Sequence, residues 1–472
     1  YSVEDITPVG ADGAVVITWV GESYNEDEDD YDETNLYFQL FDAAGQPVGE
    51  IQQATATEEW VRDSQIISLA ETDQFIASWT EDGTDDTVAY LQLFDSITGE
   101  EGALLTFDTS VVASVLPTGN NGEFVVLWNE VVSFEDASAI VKAQTYSSDG
   151  IPIGSTIVLN PEAGEYSDGM RLLGEDGAFI ALMINEQDMT MSLQLVNDNG
   201  SLGARVDLSE FSDLVDLEVG IAILNSDNDF AVTWAGINES DEPVIYSQSF
   251  MADGTPQNDP IALPLEFNAD TDYDLSIESA SAVTDEGYFI TVDYYEETGE
   301  GNNFIAAGVY FVDGNSVTEI AASEDDDWAY FDLRVLNDAG DVLVFKESHD
   351  DETWEADSWV QIYNPDGTEK TEKIEFTGNI NDVVWTQLNS DGDFFISWVE
   401  YNDYYDDDSG SWVSNEATHH FQMFDADGTS ITPIEIEQGD DLPVSVAEAG
   451  AAYLVSLSDS ASITTLSDIL AL

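Results

Sequence analysis

The chain has 472 residues, of which 99 are acidic and only 8 are basic, so its formal net charge is −91. Because nucleic acids and anionic lipids are bound by basic surfaces, this charge excludes both as partners. The 43% of hydrophobic and 11% of aromatic residues exclude a disordered polyanion, and the absence of cysteine excludes disulfides and thiol catalysis.

Taken in chain order, one pattern recurs eight times. An apolar segment ending in Trp or a substitute is followed by an acidic loop, then by a segment carrying Gln, and finally by a Gly turn. The pairs are Gln39/Gly45, Gln92/Gly99, Gln144/Gly150, Gln194/Gly200, Gln248/Gly254, Gln361/Gly367 and Gln422/Gly428, with Gly308/Gly314 in a degenerate copy. A period of roughly 50 residues indicates an array of repeated supersecondary units, such as propeller blades or a solenoid.

The pattern divides the chain into approximate units at residues 1–55, 56–108, 109–160, 161–208, 209–263, 264–321, 322–376 and 377–439, with a partial unit at 440–472. In the second unit, alternating apolar residues predict strands at 65–70, 74–80, 88–94 and 103–107. The partial unit should contain strands at 444–447, 451–457 and 461–466. No segment has helical periodicity, and no apolar run approaches the ~18 residues that span a bilayer, so we expect no membrane span.

Asp-Gly and Asn-Gly pairs between the apolar runs are strong hairpin signals, because both central residues of such turns need positive φ. Four short antiparallel strands per unit predict an all-β protein, a β-propeller with eight full blades and a partial ninth. The alternative is an array of β-sandwich units joined by regular linkers, which the sequence does not show. The propeller predicts five buried Trp residues at equivalent positions on the second strands: Trp19, Trp79, Trp128, Trp234 and Trp398.

The repeat is clearest in the first unit, where residues 13–20 contain the Trp strand and the segment 37–50 includes the pattern Gln-x-Phe-Asp-x-x-Gly-x-x-Val-Gly at 39–49. It resembles the repeats of haemolysin-type (RTX) exported bacterial proteins and cell-surface adhesins. The resemblance implies secretion or display on a bacterial surface, an acidic surface and calcium, although the glycine-rich nonapeptide calcium repeat of that class is absent. Because the chain begins at Tyr1 without Met, we expect a processed protein or an excised segment.

The charge density also predicts the medium in which the protein works. Spread over about 17,000 Å² of surface, the net charges lie roughly 14 Å apart, against a Debye length of about 8 Å at physiological salt. Neighbouring charges are therefore only partly screened, and the chain repels itself in dilute buffer. We expect a marine or otherwise saline environment, bound divalent cations, or both.

Calcium is the predicted cofactor, because it takes six to eight oxygen ligands and closely spaced carboxylates supply them. Three clusters have the required alternation: Asp270, Asp272 and Asp274; Asn225, Asp227 and Asp229; and Asn389, Asp391 and Asp393. The last two lie at turns between the first and second strands of their units. For these two, ordinary hairpin chemistry is the alternative explanation, since Asn, Asp and Gly are the residues that such turns require.

Signals for catalysis are weak. The chain has three histidines, His349, His419 and His420, and no nucleophile elbow, zinc-protease motif or phosphate loop. We therefore predict no catalytic residues and a non-catalytic, acidic extracellular repeat protein that acts in cell-surface assembly or adhesion. Its partners would be itself or other surface proteins, joined through cation bridges. The alternative is a secreted polysaccharide-binding or polysaccharide-degrading propeller, because carboxylates alone can hydrolyse glycosides.

Overall fold

The computed structural model describes residues 2–9, 14–25, 30–42, 47–53, 60–69, 72–82, 87–108, 110–118, 121–133, 138–162, 164–174, 177–210, 219–237, 243–265, 273–280, 287–298, 301–313, 316–324, 327–337, 339–350, 356–378, 380–387, 392–400, 404–406, 411–413, 418–437, 444–447, 451–456 and 462–465. Throughout these ranges the regular elements are β-strands. No helix long and apolar enough to cross a membrane occurs among the described residues.

The first part of the chain forms four antiparallel sheets, each of four strands in chain order. Sheet 1 comprises β1 (Ser2–Val9), β2 (Ala14–Asn25), β3 (Asp30–Phe41) and β4 (Pro47–Gln53). Sheet 2 comprises β5 (Trp60–Leu69), β6 (Gln74–Asp82), β7 (Thr87–Asp95) and β8 (Glu101–Asp108). Sheet 3 comprises β9 (Ser110–Pro117), β10 (Phe124–Ser133), β11 (Ser138–Tyr146) and β12 (Pro152–Val158). Sheet 4 comprises β13 (Tyr166–Leu172), β14 (Phe179–Asn185), β15 (Thr190–Val196) and β16 (Leu202–Glu210).

Four further sheets of the same kind follow. Sheet 5 comprises β17 (Val219–Ile223), β18 (Phe230–Ile237), β19 (Pro243–Phe250) and β20 (Ile261–Ala262). Sheet 6 comprises β21 (Tyr273–Ala280), β22 (Tyr288–Thr298), β23 (Gly301–Asp313) and β24 (Ser316–Glu324). Sheet 7 comprises β25 (Asp327–Val335), β26 (Val342–Asp350), β27 (Ala356–Tyr363) and β28 (Ile374–Gly378). In sheet 8, a hairpin of β31 (Tyr404–Asp406) and β32 (Ser411–Val413) is inserted among β29 (Ile380–Gln387), β30 (Phe394–Glu400), β33 (Thr418–Phe424) and β34 (Ser430–Glu437).

These sheets confirm the predicted all-β class and the four-stranded antiparallel unit. The four strands predicted for the second unit are present; β5 begins earlier than predicted and ends at Leu69, and the other three have somewhat wider bounds. Near the end of the chain, β35 (Val444–Ala447), β36 (Ala451–Ser456) and β37 (Ser462–Thr465) lie where the sequence predicts the strands of the partial unit. The sequence does not predict the inserted hairpin, because its acidic segment is typical of a solvated loop.

The chain divides into two compact units, residues 1–208 with 462–472, and residues 209–461. Within the first unit the core lies between consecutive sheets, because each strand presents alternate apolar residues to opposite faces. Phe75 and Trp79 of sheet 2 pack against sheet 1, whereas Ile76 on the opposite face packs against sheet 3. The first strands β1, β5, β9 and β13 contact one another in succession. A sheet that shares a core with both neighbours is unlike the separate pairs of a sandwich array.

The second unit has the same construction. Apolar clusters lie between sheets 5 and 6, between sheets 6 and 7, and between sheets 7 and 8. Each cluster includes residues from the two inner strands of both sheets that it joins. The contacts between sheets therefore repeat, as do the sequence units that encode them.

The recurring Trp lies on the second strand of its sheet in all five units that carry it. Trp79, Trp128 and Trp234 are buried, with exposed fractions of 5%, 8% and 2%, which confirms the prediction for these three. Trp398 is half-buried against the cluster between sheets 7 and 8 and stacks on His420, with ring centroids 5.1 Å apart. The side chain of Trp19 lies outside the described part of the structure.

The recurring Gln has a structural role that the pattern did not reveal. In sheets 1 to 3 the pairing of third and fourth strands is interrupted at this Gln, because the fourth strand carries a bulge there. The side-chain amide donates a hydrogen bond to a backbone carbonyl oxygen of the fourth strand beside the bulge: Gln39 to Val48 (3.0 Å), Gln92 to Gly102 (3.1 Å) and Gln144 to Ile153 (2.8 Å). The repeated Gln thus links the third strand to the irregular part of the fourth.

The recurring Gly closes the turn between the third and fourth strands. Gly150 has φ of 72°, a conformation that residues with a Cβ atom rarely adopt. A Cβ atom there would also lie 2.8 Å from Cβ of Ala103 in the preceding sheet. Both the backbone conformation and the close packing of neighbouring sheets therefore require Gly at this position.

Candidate binding cleft

A cleft of about 790 Å³ opens in the first unit, where sheets 2, 3 and 4 meet. Its walls are the first strands β5, β9 and β13, the second strands β6 and β10, and the start of β11. Most of its lining side chains are hydroxyls, amides and small apolar groups. Among the 17 lining residues, Asp168 is the one that carries a charge at neutral pH.

Two β-bulges shape this cleft. On β9, Leu127 of β10 is opposite Ser114 and Trp128 is opposite Val112, so Ala113 is the extra residue. On β13, Ser167 is opposite Met183 and Gly169 is opposite Leu182, so Asp168 is the extra residue. Bulges redirect side chains and are common beside functional sites. Here both extra residues line the cleft.

The bulge of β13 is held by a hydrogen-bonded clamp between sheets 3 and 4. Asn129 donates its side-chain amide to the Ser167 carbonyl at 2.7 Å and accepts the Ser167 N–H at 2.8 Å. The Ser167 hydroxyl donates in turn to the carbonyl oxygen of Leu182 at 2.6 Å. Both Asn129 and Ser167 are buried. The wall that carries Asp168 is therefore fixed before any ligand arrives, which lowers the entropy cost of binding.

Two titratable groups of this wall have shifted pKa values. Burial raises the pKa of Asp168, because the surrounding protein replaces water that would stabilise the carboxylate, although the residue remains accessible from the cleft. Burial also raises the pKa of Tyr166, with further contributions from Glu186 and Asp168. The Tyr166 hydroxyl donates to Glu186 Oε1 at 3.1 Å. The wall thus combines the carboxyl group of Asp168 with a phenol whose hydroxyl donates to Glu186.

The one indole in the lining belongs to the floor of the cleft. Trp79 is 5% exposed, its ring stacks on Tyr90 with centroids 5.3 Å apart, and its Nε1–H donates to Glu81 at 3.1 Å. Both faces and the polar edge are thus largely committed to protein contacts. Trp79 therefore shapes the cleft and does not offer a free ring face to a ligand.

The cluster predicted at Asn225, Asp227 and Asp229 forms a hydrogen-bonded turn. The Asn225 side-chain oxygen accepts the backbone N–H groups of Asp227 and Asp229, both at 3.1 Å. The Asp229 carboxylate accepts from Ala252 N (3.0 Å) and from Gln257 Nε2 (2.6 Å). Asn225 Nδ2 donates to it as well, at 3.2 Å. Protein donors thus contact the Asp229 carboxylate on both of its oxygens, as the hairpin alternative predicts.

The same turn design recurs in sheet 7 with a cation supplied by the protein. Asn337 Nδ2 donates to Asp341 Oδ2 at 2.7 Å, and the Lys370 ammonium donates to the same oxygen at 2.7 Å. Lys370 also donates to the Ala426 carbonyl of sheet 8 at 3.1 Å and lies 3.4 Å from Asp427. This ammonium links the turns of two adjacent sheets.

The remaining predicted calcium ligands are only partly described. Asp270, Asp272, Asn389 and Asp391 lie outside the described residues, and Asp274 lies on β21 opposite Tyr295 with its side chain outside the described part. Asp393 accepts the Ala426 N–H at 3.3 Å, the counterpart of the contact between Asp229 and Ala252. Across the described ranges, no group of three or more His, Asp or Glu side chains is arranged to hold a metal ion.

The cleft was not predicted from the sequence. Asp168 is one of 99 acidic residues, and no local motif distinguishes it. The clamp that holds its bulge joins Asn129 and Ser167, which are 38 positions apart, a separation that no local pattern reports. One usable signal is the break in apolar alternation at 166–170, which a bulge on the first strand produces.

No family model matches the chain, and no curated protein sequence matches it. Among solved structures, dihydro-heme d1 dehydrogenase NirN in complex with DHE is 12% identical, with 79% of this chain and 73% of that chain covered and a TM-score of 0.40. Polysaccharide lyase Uly1 is 9% identical, with 84% and 87% covered and a TM-score of 0.38. A prolyl endopeptidase is 10% identical, with 96% and 53% covered and a TM-score of 0.40. Similarities at this level assign the chain to no family.

Proposed function

We propose that the chain is a non-catalytic, acidic extracellular protein that acts in adhesion or assembly at a bacterial surface, with the cleft of sheets 2 to 4 as its ligand site. The observation that supports the proposal is the shape and the lining of this cleft. It is concave, shaped by two bulges and fixed by the Asn129–Ser167 clamp, and these features are typical of a binding site.

The same lining favours binding over turnover. Glycoside hydrolysis needs two carboxyl groups about 5 to 9.5 Å apart. The lining residues include one carboxyl group, that of Asp168, and the neighbouring Glu186 accepts the Tyr166 hydroxyl. Among the lining residues that the structure describes there is no His, Lys or Arg. A site of this kind can hold a ligand by hydrogen bonds but offers no general acid and base pair.

For the architecture, we propose that the sheets are the blades of a β-propeller, with eight full blades and residues 440–472 as part of a ninth. Packing of each inner sheet on both neighbours and the contacts among first strands support this arrangement. A net charge of −91 favours a saline medium and divalent cations that bridge acidic loops between molecules. Dispersal of assembled material by a chelator, with recovery in calcium, is the expected result for cation bridging.

The proposed function is tested by filling the cleft and measuring adhesion. Ala113→Trp places a large ring at the bulge of β9, and Ile97→Trp, at a turn residue that is 55% exposed, is the matched control. We expect Ala113→Trp to abolish adhesion of the protein to bacterial surface material while Ile97→Trp leaves it unchanged. Val131→Tyr, on β10, repeats the test if Ala113→Trp does not fold.

Two outcomes would count against the proposal. Adhesion that survives in a folded variant with a filled cleft would show that the cleft is not the ligand site. Release of reducing sugar or unsaturated sugar by the wild-type protein, lost on Asp168→Ala, would show that the protein is an enzyme.

A further inference from the structure

We infer that the cleft of sheets 2 to 4 binds an uncharged saccharide of a few sugar rings, held by hydrogen bonds to its hydroxyls. The inference rests on the proposed binding role of the cleft and adds the chemical class of the ligand. It follows from the charge and the polar groups of the described lining residues, and from the size of the site.

The first argument for an uncharged ligand is the low charge of the cleft lining. One of the 17 lining residues is acidic, or about 6%, whereas 99 of the 472 residues of the chain are acidic, or about 21%. The cleft is therefore poorer in charge than the protein that surrounds it. A cationic ligand would find far more carboxylates elsewhere on the surface, and an anionic ligand would be repelled by the net charge of −91 without a basic side chain in the lining to offset it.

The second argument is that the polar groups of the lining match those of a sugar. Hydroxyl groups come from all three sheets, with Ser78 and Thr80 on sheet 2, Ser114 and Ser138 on sheet 3, and Tyr166 on sheet 4. Hydroxyls both donate and accept, as sugar hydroxyls do. On β9, Ser114 lies among valine and alanine residues of the lining, whose side chains can contact the C–H faces of a sugar ring. A saccharide presents this same mixture of hydroxyl and C–H surface.

The third argument is that Asp168 supplies an acceptor for sugar hydroxyls. An ionised carboxylate accepts through two oxygens and can take hydrogen bonds from two adjacent sugar hydroxyls. Charge-assisted hydrogen bonds of this kind are about twice as strong as neutral ones. The clamp fixes the backbone at Ser167, and the bulge directs Asp168 to the cleft, so the acceptor is in place in advance.

The volume is consistent with this class of ligand. Binding sites for small organic ligands typically have volumes of about 300 to 1,000 Å³. The cleft, at about 790 Å³, lies in the upper part of this range and would hold a short oligosaccharide. Since Trp79 is 5% exposed, the sugar would contact the valines of β9 in place of an aromatic platform.

The test is isothermal titration calorimetry with three ligand sets of similar size: neutral oligosaccharides of glucose, galactose and mannose, uronate oligosaccharides, and the polyamine spermidine. We expect heat of binding with at least one neutral set and none with uronates. Asp168→Ala should weaken that binding at least tenfold. Asp198→Asn, which removes one charge from an exposed turn of the same sheet, is the control and should leave the affinity within twofold.

Failure of the inference and failure of the proposed function give different results. If uronates or spermidine bind and Ala113→Trp blocks them, the cleft is a binding site but the ligand class is wrong. If a neutral saccharide binds equally well to Asp168→Ala and to Ala113→Trp, the saccharide site lies elsewhere. If none of the three sets binds and Ala113→Trp leaves adhesion intact, the binding role of the cleft itself is refuted.

Discussion

Replacing Lys370 by Met should destabilise the second unit far more than removing any exposed positive charge. The Lys370 side chain is 24% exposed and that of Asp341 is 9% exposed, and 2.7 Å separates their charged atoms. Without the ammonium, the Asp341 carboxylate keeps the hydrogen bond from Asn337 Nδ2 but loses its only charged partner among the described contacts. Hydrogen bonds to charged groups contribute about 1.5 to 3 kcal/mol.

We expect Lys370→Met to lower the free energy of unfolding by about 2 to 3 kcal/mol, since Asp341 would remain largely buried without its counter-charge. The contact with Asp427 adds little, because that carboxylate is 79% exposed. Arg334→Met is the matched control. It also removes one positive charge, but Arg334 is 66% exposed and lies 3.7 Å from Asp332, so the expected loss is below about 0.5 kcal/mol.

The assay is urea-induced unfolding followed by tryptophan fluorescence, at low salt and in 1 M NaCl. The difference between the two variants should persist in high salt, because a partly buried pair is less screened than exposed charges. Equal destabilisation by Lys370→Met and Arg334→Met would refute the argument from burial. The double variant Lys370→Met/Asp341→Asn should recover part of the loss, since the buried charge is then absent as well.

The pH dependence supplies a second check on the same pair. Burial alone would lower the pKa of Lys370, but the hydrogen bond and charge of Asp341, and then those of Asp427, raise it above its ordinary value of 10.5. A group whose pKa is raised by folding stabilises the fold below its unfolded pKa and loses that contribution as the pH rises through the folded pKa. The difference between wild type and Lys370→Met should therefore be constant below pH 10.5 and shrink above it.

Three substitutions test contacts described above, and a change of salt tests the binding of calcium. Trp234→Ala should cost about 3 to 5 kcal/mol in urea unfolding, because it empties a large buried site. Gln144→Ala should cost about 1 to 3 kcal/mol in the same assay, since it removes the hydrogen bond to the Ile153 carbonyl beside the bulge. Asp168→Asn should raise the melting temperature at neutral pH, and this gain should vanish as the pH falls below 3.8, because folding raises the pKa of Asp168 and so penalises its charged form. Bound calcium should raise the melting temperature above that in sodium chloride of equal ionic strength, and equal values would exclude specific binding.

The sequence by itself determined the repeat, the strands and the faces that they bury. Apolar alternation with a period of two specifies which side of a strand faces a core, and this is local information. Phe75, Trp79 and their counterparts can therefore be placed on second strands and assigned to the core from the amino-acid pattern alone. The Gly turns are equally local, because the need for positive φ at Gly150 arises within four residues.

Only the tertiary structure decided what the polar members of the pattern do. Gln144 donates a hydrogen bond to Ile153 beside the bulge of the next strand, 9 residues away, and Asp229 accepts one from Gln257, 28 residues away. These partners are too distant in the chain for a local pattern to indicate them. Asp168 became distinct from 98 other acidic residues through a bulge, a clamp from Asn129 on another sheet, and the concave surface where three sheets meet. Hydrogen-bond partners and burial depend on which strands the fold brings together, and in a chain where one residue in five is acidic, composition cannot single out the carboxylate that lines this cleft.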